Sequence, residues 1–200
     1  MKKRIAVFAS GGGTDFQSVI DANKKDDFCE ISLLIASKDG IGAIDRARAN
    51  GIQTAVFSKK DYPDLEALYA KLTYLLNINR IDYIVLAGWL KIIPASFISA
   101  FADRIINIHP SLIPSFCGAG FYGIKVHQAV LDYGAKISGC TVHFVDEAII
   151  AQTAVKVGDD DTAESLQSKI LAEEHKLLPY CVKKLCLGLI EKHGRKVIIK

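Results

Sequence analysis

The sequence predicts an α/β fold built on a doubly wound, mainly parallel sheet, with an antiparallel extension at its C-terminal end. Two observations carry that prediction. Short, nearly continuous apolar runs alternate with amphipathic segments through the first half, the pattern of strands covered by helices on both faces. The links between them are short and rich in Gly, Pro, Asn and Asp, so successive strands lie parallel and joined by helical crossovers.

The elements follow in order. RIAVFAS (4–10), EISLLIAS (30–37), TAVFS (54–58), IDYIVLAG (81–88) and RIINIH (104–109) read as buried strands. Helical patterns cover about 15–24, then 41–50 closed by Gly51, then 64–79 from the cap Asp64. A fourth covers about 94–102 with Pro94 in its first turn. After His109 the texture changes: a glycine-rich loop, PSFCGAGFYG, leads to a helix near 124–133. ISGCTVHFV and AQTAVKV then read as antiparallel strands, followed by a long helix near 162–187 capped by Gly188 and a last strand, KVIIK. No repeat, linker or low-complexity segment interrupts the chain, so residues 1–200 are expected to form one domain, with halves at about 1–103 and 104–200.

Composition narrows the function classes. Half of the 200 residues are hydrophobic and 24% are charged, which suits a domain able to bury about 70% of its unfolded surface. A net charge of +3, with no basic stripe, gives no support to nucleic-acid binding. The five cysteines show neither a CxxC pair nor a histidine at ligand spacing. They argue against a metal site and for a reducing compartment, hence a cytoplasmic location. No apolar segment is long enough to span a membrane, and no membrane partner is expected.

Three stretches carry candidate chemistry. In IINIHPSLIP (105–114), alternation places Ile106 and Ile108 on one face and Ile105, Asn107 and His109 on the other, just before Pro110 ends the ladder. An amide and an imidazole side by side at a strand end are either satisfied polar groups or a reaction centre. FASGGGTDFQ (8–17) is a strand, a glycine turn and a helix start. It offers free backbone N–H groups to an anion, or else is a tight turn capped by Thr14 or Asp15. It lacks both the dinucleotide fingerprint and the P-loop GK[ST]. LAGWLKII (86–93) breaks the fourth strand at Gly88 with bulky residues, which either pack beneath the loop or line a slot for a flat heterocycle.

NIHPSLIP, LAGWLKII, the glycine turn at 10–15, GCTVHFVDE (139–147) and EEHKLLP (173–179) together resemble the phosphoribosylglycinamide formyltransferases, from residue 4 to about 188. The resemblance implies a Rossmann-like formyltransferase fold and formyl transfer from 10-formyltetrahydrofolate to the amine of glycinamide ribonucleotide, in purine biosynthesis. By motif, His109 is then the acid/base catalyst and Asn107 the donor to the oxyanion of the tetrahedral intermediate. Gly11, Gly12, Gly13, Thr14 and Asp15 would hold the substrate phosphate, and Glu174 the glycinamide. Trp89, Leu90, Lys91, Ile92 and Ile93, with Asn107, would cradle the pterin. His143 is taken as a packed, hydrogen-bonded histidine. The partners implied are the ribonucleotide and the formyl-folate, and the protein is expected as monomer or homodimer, with no metal.

Three departures qualify the resemblance. The family's Gly-x-Gly-Ser-Asn turn reads Gly-Gly-Gly-Thr-Asp here, placing a carboxylate, Asp15, where an amide is usual. At about 4 Å from a phosphate it would cost on the order of a kcal/mol or more, so Asp15 is expected to turn away as a cap. The arginine of the helix after the third strand is Leu65. The Gly-x-Asp-x-Gly loop after VHFVDE, whose aspartate pairs with the catalytic histidine, is absent. From Thr141 to Val157 no Gly, Pro or Asn supplies a turn, although one strand of that length would reach about 55 Å. Either the loop is deleted, or Glu147 and Ala148 are not joined by an ordinary peptide bond; the second is favoured. Another formyl-folate enzyme (a hydrolase or a different amine formyltransferase) and an inactive folate- or phosphosugar-binding protein are the alternatives.

Overall fold

The computed structural model describes residues 1–146 and 148–200. Its centre is a seven-stranded sheet in the order β3-β2-β1-β4-β5-β6-β7. The first five strands are β1 (Lys3–Ala9), β2 (Cys29–Ala36), β3 (Gln53–Val56), β4 (Tyr83–Leu86) and β5 (Ile105–His109), all parallel. β6 (Ile137–Phe144) pairs antiparallel with β5, and β7 (Ile149–Lys156) pairs antiparallel with β6 at the edge of the sheet. The helices are α1 (Thr14–Asp26), α2 (Gly42–Ala49), α3 (Leu65–Ile78), α4 (Ala95–Ala100), α5 (Ile124–Tyr133) and α6 (Ala163–Cys186). No helix among the described residues is long and apolar enough to cross a membrane.

Alternation along the buried strands feeds two separate cores. Ile5, Val7 and Ala9 of β1 join Phe16, Val19, Leu166, Ile170 and Leu178 on the face covered by α1 and α6. Ala6 and Phe8 point the other way, among Leu68, Tyr69 and Leu72 of α3, Phe97 of α4 and Phe101 at the end of α4. β5 obeys the same rule: Ile106 and Ile108 enter the first core and Ile105 the second. Asn107 and His109, in phase with Ile105, are left half-buried at the end of the strand. Full burial of side chains such as Phe8 stabilises by about 1.5–3 kcal/mol each, so both faces are strongly committed.

The chain runs from β1 outward to β2 and β3, then returns to the other side of β1 with β4 and β5. The strand order therefore reverses between β1 and β4, where the carboxyl ends of adjacent strands part and leave a crevice. The loops there are tied together: the Ser10 N–H donates to the Gly88 carbonyl (3.1 Å) and the Leu90 N–H to Ser10 Oγ (3.1 Å).

Two details differ from the sequence reading. Neither Thr14 nor Asp15 caps α1; the cap is Gly13, left-handed at φ 72°, with no side-chain hydrogen bond. A Cβ on Gly13 would sit 2.7 Å from the Ala43 Cβ of α2, so the close approach of the two helices requires glycine. The C-terminal strand is not alone: β9 (Lys196–Ile199) pairs with β8 (Ile190–His193) in a separate hairpin. IEKH carries too little apolar pattern to be read as a strand. The junction Glu147–Ala148 lies outside the described residues. On either side of it the long turnless run divides into β6 and β7, with the Phe144 N–H donating to the Ala148 carbonyl (2.9 Å).

Candidate active site

A cleft of about 540 Å³ opens at the strand-order reversal. Its floor is Asn107, Ile108, His109 and Pro110; one wall is the turn Gly11 to Asp15, the other Ala87 to Leu90. α6 contributes Gln167, Leu171 and Glu174, spaced one helical turn apart on one face. Phe121, Tyr122, Gly123 and His127 close the remaining side. The structure thus brings together Asn107, His109, the glycine turn, Trp89, Leu90 and Glu174, which are far apart in the chain.

Hydrogen bonds fix the chemistry of the two floor residues. The His143 ring has Nδ1 2.7 Å from the Phe144 carbonyl, an acceptor only, so Nδ1 carries the proton. Its Nε2, 3.0 Å from Asn107 Nδ2, therefore accepts one N–H of that amide. The second N–H of Asn107 is left for a ligand. His143 is hydrogen-bonded as expected, and it also sets which way the Asn107 amide faces. By the same logic His109 Nε2 donates to the Phe116 carbonyl (3.0 Å), and the neutral ring keeps its lone pair on Nδ1, the nitrogen able to take a proton. Burial pushes the His109 pKa down, and the Phe116 carbonyl offsets this only in part.

The loop that presents Phe116 was not legible as part of the site. Phe116 sits at φ 50°, uncommon for a residue with a side chain. Ser111, fully buried, donates to the Ser115 carbonyl (2.6 Å), and Thr141 Oγ1 of β6 donates to the Ser111 carbonyl (2.6 Å). The Ile113 N–H returns a bond to Thr141 Oγ1 (3.1 Å), so β6 staples the loop that holds His109. His127 was also missed. It is 1% exposed, with an unpartnered Nδ1, and burial ahead of the field of His109 pushes it down to about 4. Its only signal in the sequence is its position on the inner face of α5.

At the glycine turn, Gly11 and Gly12 have open space where a Cβ would lie, and α1 starts without a side-chain cap. Its first N–H groups lack a side-chain acceptor, which is what an anion requires. Arg46 of α2 brings a guanidinium there, its Nε donating to the Gly12 carbonyl (2.8 Å). Asp15 does not turn away as a cap: it lines the cleft, with its Oδ1 buried and unpartnered. Burial raises its pKa. Glu174 is 7% exposed on the same cleft, and burial followed by the charge of Asp15 raises its pKa as well.

The expected pterin cradle is divided. Trp89 and Leu90 line the main cleft, but the Trp89 ring is largely buried, edge-on to Phe8 and donating its Nε1–H to the Tyr69 hydroxyl (3.0 Å). Lys91 and Ile92 line a second hollow of about 460 Å³ against Phe57, Leu65 and Leu68, while Ile93 packs on the α3–α4 core. Trp89 and Leu90 also line this second hollow, so they stand between the two, with Lys91 and Ile92 on the far side from the main cleft. Leu90 and Ile92 are 58% and 80% exposed, apolar surface that suits the face of a planar heterocycle.

The formyl transferase family matches residues 3–182 of this chain. A chloroplastic phosphoribosylglycinamide formyltransferase of Vigna unguiculata is 44% identical over 92% of the chain, which spans 61% of that protein's length. The phosphoribosylglycinamide formyltransferase of Bacillus subtilis is 36% identical, with 94% of this chain covering 96% of that protein. Among solved structures, glycinamide ribonucleotide transformylase 1 of Symbiobacterium toebii superposes with a TM-score of 0.93 at 35% identity, covering 99% of this chain and 94% of that one. On these matches the chain belongs to the formyl transferase family, and within it to the phosphoribosylglycinamide formyltransferases.

Proposed function

We propose that the chain transfers the formyl group of 10-formyltetrahydrofolate to the primary amine of glycinamide ribonucleotide. The observation that carries this reading is the pairing of Asn107 and His109 at the floor of the cleft, one with a spare amide N–H and the other with a free Nδ1 lone pair. Attack of an amine on a formyl carbon builds negative charge on one oxygen and positive charge on the attacking nitrogen. Asn107 answers the first by donating to the oxygen, and His109 the second by accepting the proton and returning it to the departing folate nitrogen. The substrate phosphate belongs at Gly11 to Thr14 and its amine end near Glu174. The folate belongs along the apolar segment Trp89 to Ile93, with the pterin reaching Asn107. The N-terminal half, about 1–103, then supplies phosphate contacts, and residues 104–200 the chemistry. The free cysteines suit a reducing compartment such as the cytoplasm. Incubating the purified chain with both substrates and following formylglycinamide ribonucleotide by mass spectrometry tests the reading. Formate release without transfer would instead mark a formyl-folate hydrolase, and binding of both ligands without turnover a binding protein.

A further inference from the structure

Asp15 and Glu174 come from opposite ends of the sequence and face one cleft. The Asp15 side chain is 15% exposed and Glu174 is 7% exposed, and Asp15 Oδ1 is buried with no hydrogen-bond partner among the described residues. A buried carboxylate without a donor is costly, and two in one field cannot both ionise at little cost. The surrounding groups do not relieve them. His175 of α6 has its Nε2 3.8 Å from Asp15 Oδ1, yet that nitrogen is unpartnered, and burial followed by the Arg46 charge holds the ring below its ordinary range, so it stays neutral. Glu173 is engaged with Lys176 (2.7 Å), the Arg46 Nε with the Gly12 carbonyl, and the buried Cys140 thiol of β6 is pushed up to about 12.

We propose that Asp15 and Glu174 act as one electrostatically coupled carboxyl pair, carrying a single proton in the free protein and surrendering it when a ligand's primary ammonium group seats against them. The inference rests on the reading that the cleft accepts an aminoacyl phosphosugar, and it assigns Asp15 to recognition of the amine end rather than to the phosphate. The substitution of a carboxyl for an amide in the glycine turn thereby gains a purpose. The pair carries one negative charge while it waits and two when a cation is present to balance them, so ligand binding becomes linked to proton release.

Calorimetric titration with glycinamide ribonucleotide at pH 7, in two buffers of different ionisation heat, counts the protons released. The native protein should release about one proton per ligand bound, and Asp15→Asn should bind with essentially none released. Release by both proteins would place the proton on the ligand and overturn the pair. Binding by the native protein without release would overturn it equally. No binding at all would defeat the formyl-acceptor reading on which the pair depends. Carbon NMR of the two carboxyls in the native protein needs no variant: titration in two steps separated by more than a pH unit supports the pair, and two independent titrations in the ordinary carboxylate range refute it.

Discussion

Asn107 and His109 show how far single residues can be argued. Their alternation with Ile106 and Ile108 puts them on one face at a strand end, and hydrogen bonds to His143 and Phe116 then determine which atoms remain for chemistry. Replacing Asn107 with Asp substitutes an acceptor for the oxyanion donor and also loses the N–H given to His143. We expect formyl transfer to fall by about 10²-fold or more, measured as steady-state rate; a smaller loss would mean that other donors hold the oxyanion. His109 is predicted to titrate below 6.5, because burial penalises its cation and no carboxylate among the described residues compensates. A histidine whose folded pKa is depressed costs nothing above pH 6.5 and destabilises the fold progressively as the pH drops through its unfolded value. Proton NMR of the His109 Cε1–H, assigned by loss of the signal in a His109 variant, measures this; a midpoint above 6.5 would require an anionic partner. The pair itself was legible in the sequence. The supporting groups were not, because the Phe116 carbonyl, Ser111 and His127 reach the site through a positive-φ loop and a helix face that no local pattern announces.

At the scale of elements, local rules performed well where burial is one-sided. The cap at Asp64 accepts the Ala67 N–H (2.7 Å), and α3 runs Leu65–Ile78 as the spacing indicates. α5 matches the sequence reading at both ends, Ile124 and Tyr133. The reading failed at α1, where contact with Ala43 decides that Gly13 caps the helix, and at β8, whose four residues owe their strand form to pairing with β9. The β6–β7 ladder depends on one glycine. A Cβ on Gly139 would lie 2.0 Å from the Thr153 carbonyl oxygen, against a backbone atom that cannot swing aside. Gly139→Ala should therefore destabilise by about 1–3 kcal/mol or more through forced separation of the strands. Because Thr141, two residues on, staples the His109 loop, activity should fall with it. A urea midpoint within error of the native value would show that β6 shifts freely, contrary to the packing described.

The whole molecule explains why these residues meet. Reversal of strand order between β1 and β4 opens a crevice, the glycine turn and the Trp89 loop form its walls, and β5 delivers Asn107 and His109 between them. α6, started by a capping box between Thr162 and Ser165, carries Glu174 back across α1 to the same place. Such long-range convergence is invisible to propensity and periodicity: the glycine turn, the Trp89 segment and the Asn107–His109 pair follow the carboxyl ends of β1, β4 and β5, whereas Glu174 arrives from the middle of α6. We infer that this convergence is a formyl-transfer centre with His109 moving the proton. The most direct test is the ratio of formylglycinamide ribonucleotide formation by His109→Ala to that by the native protein, at saturating substrates. If His109 is the acid–base group, the ratio is about 10⁻² to 10⁻⁴, the range lost with such a group, while folate binding stays largely intact. A ratio near one would contradict it.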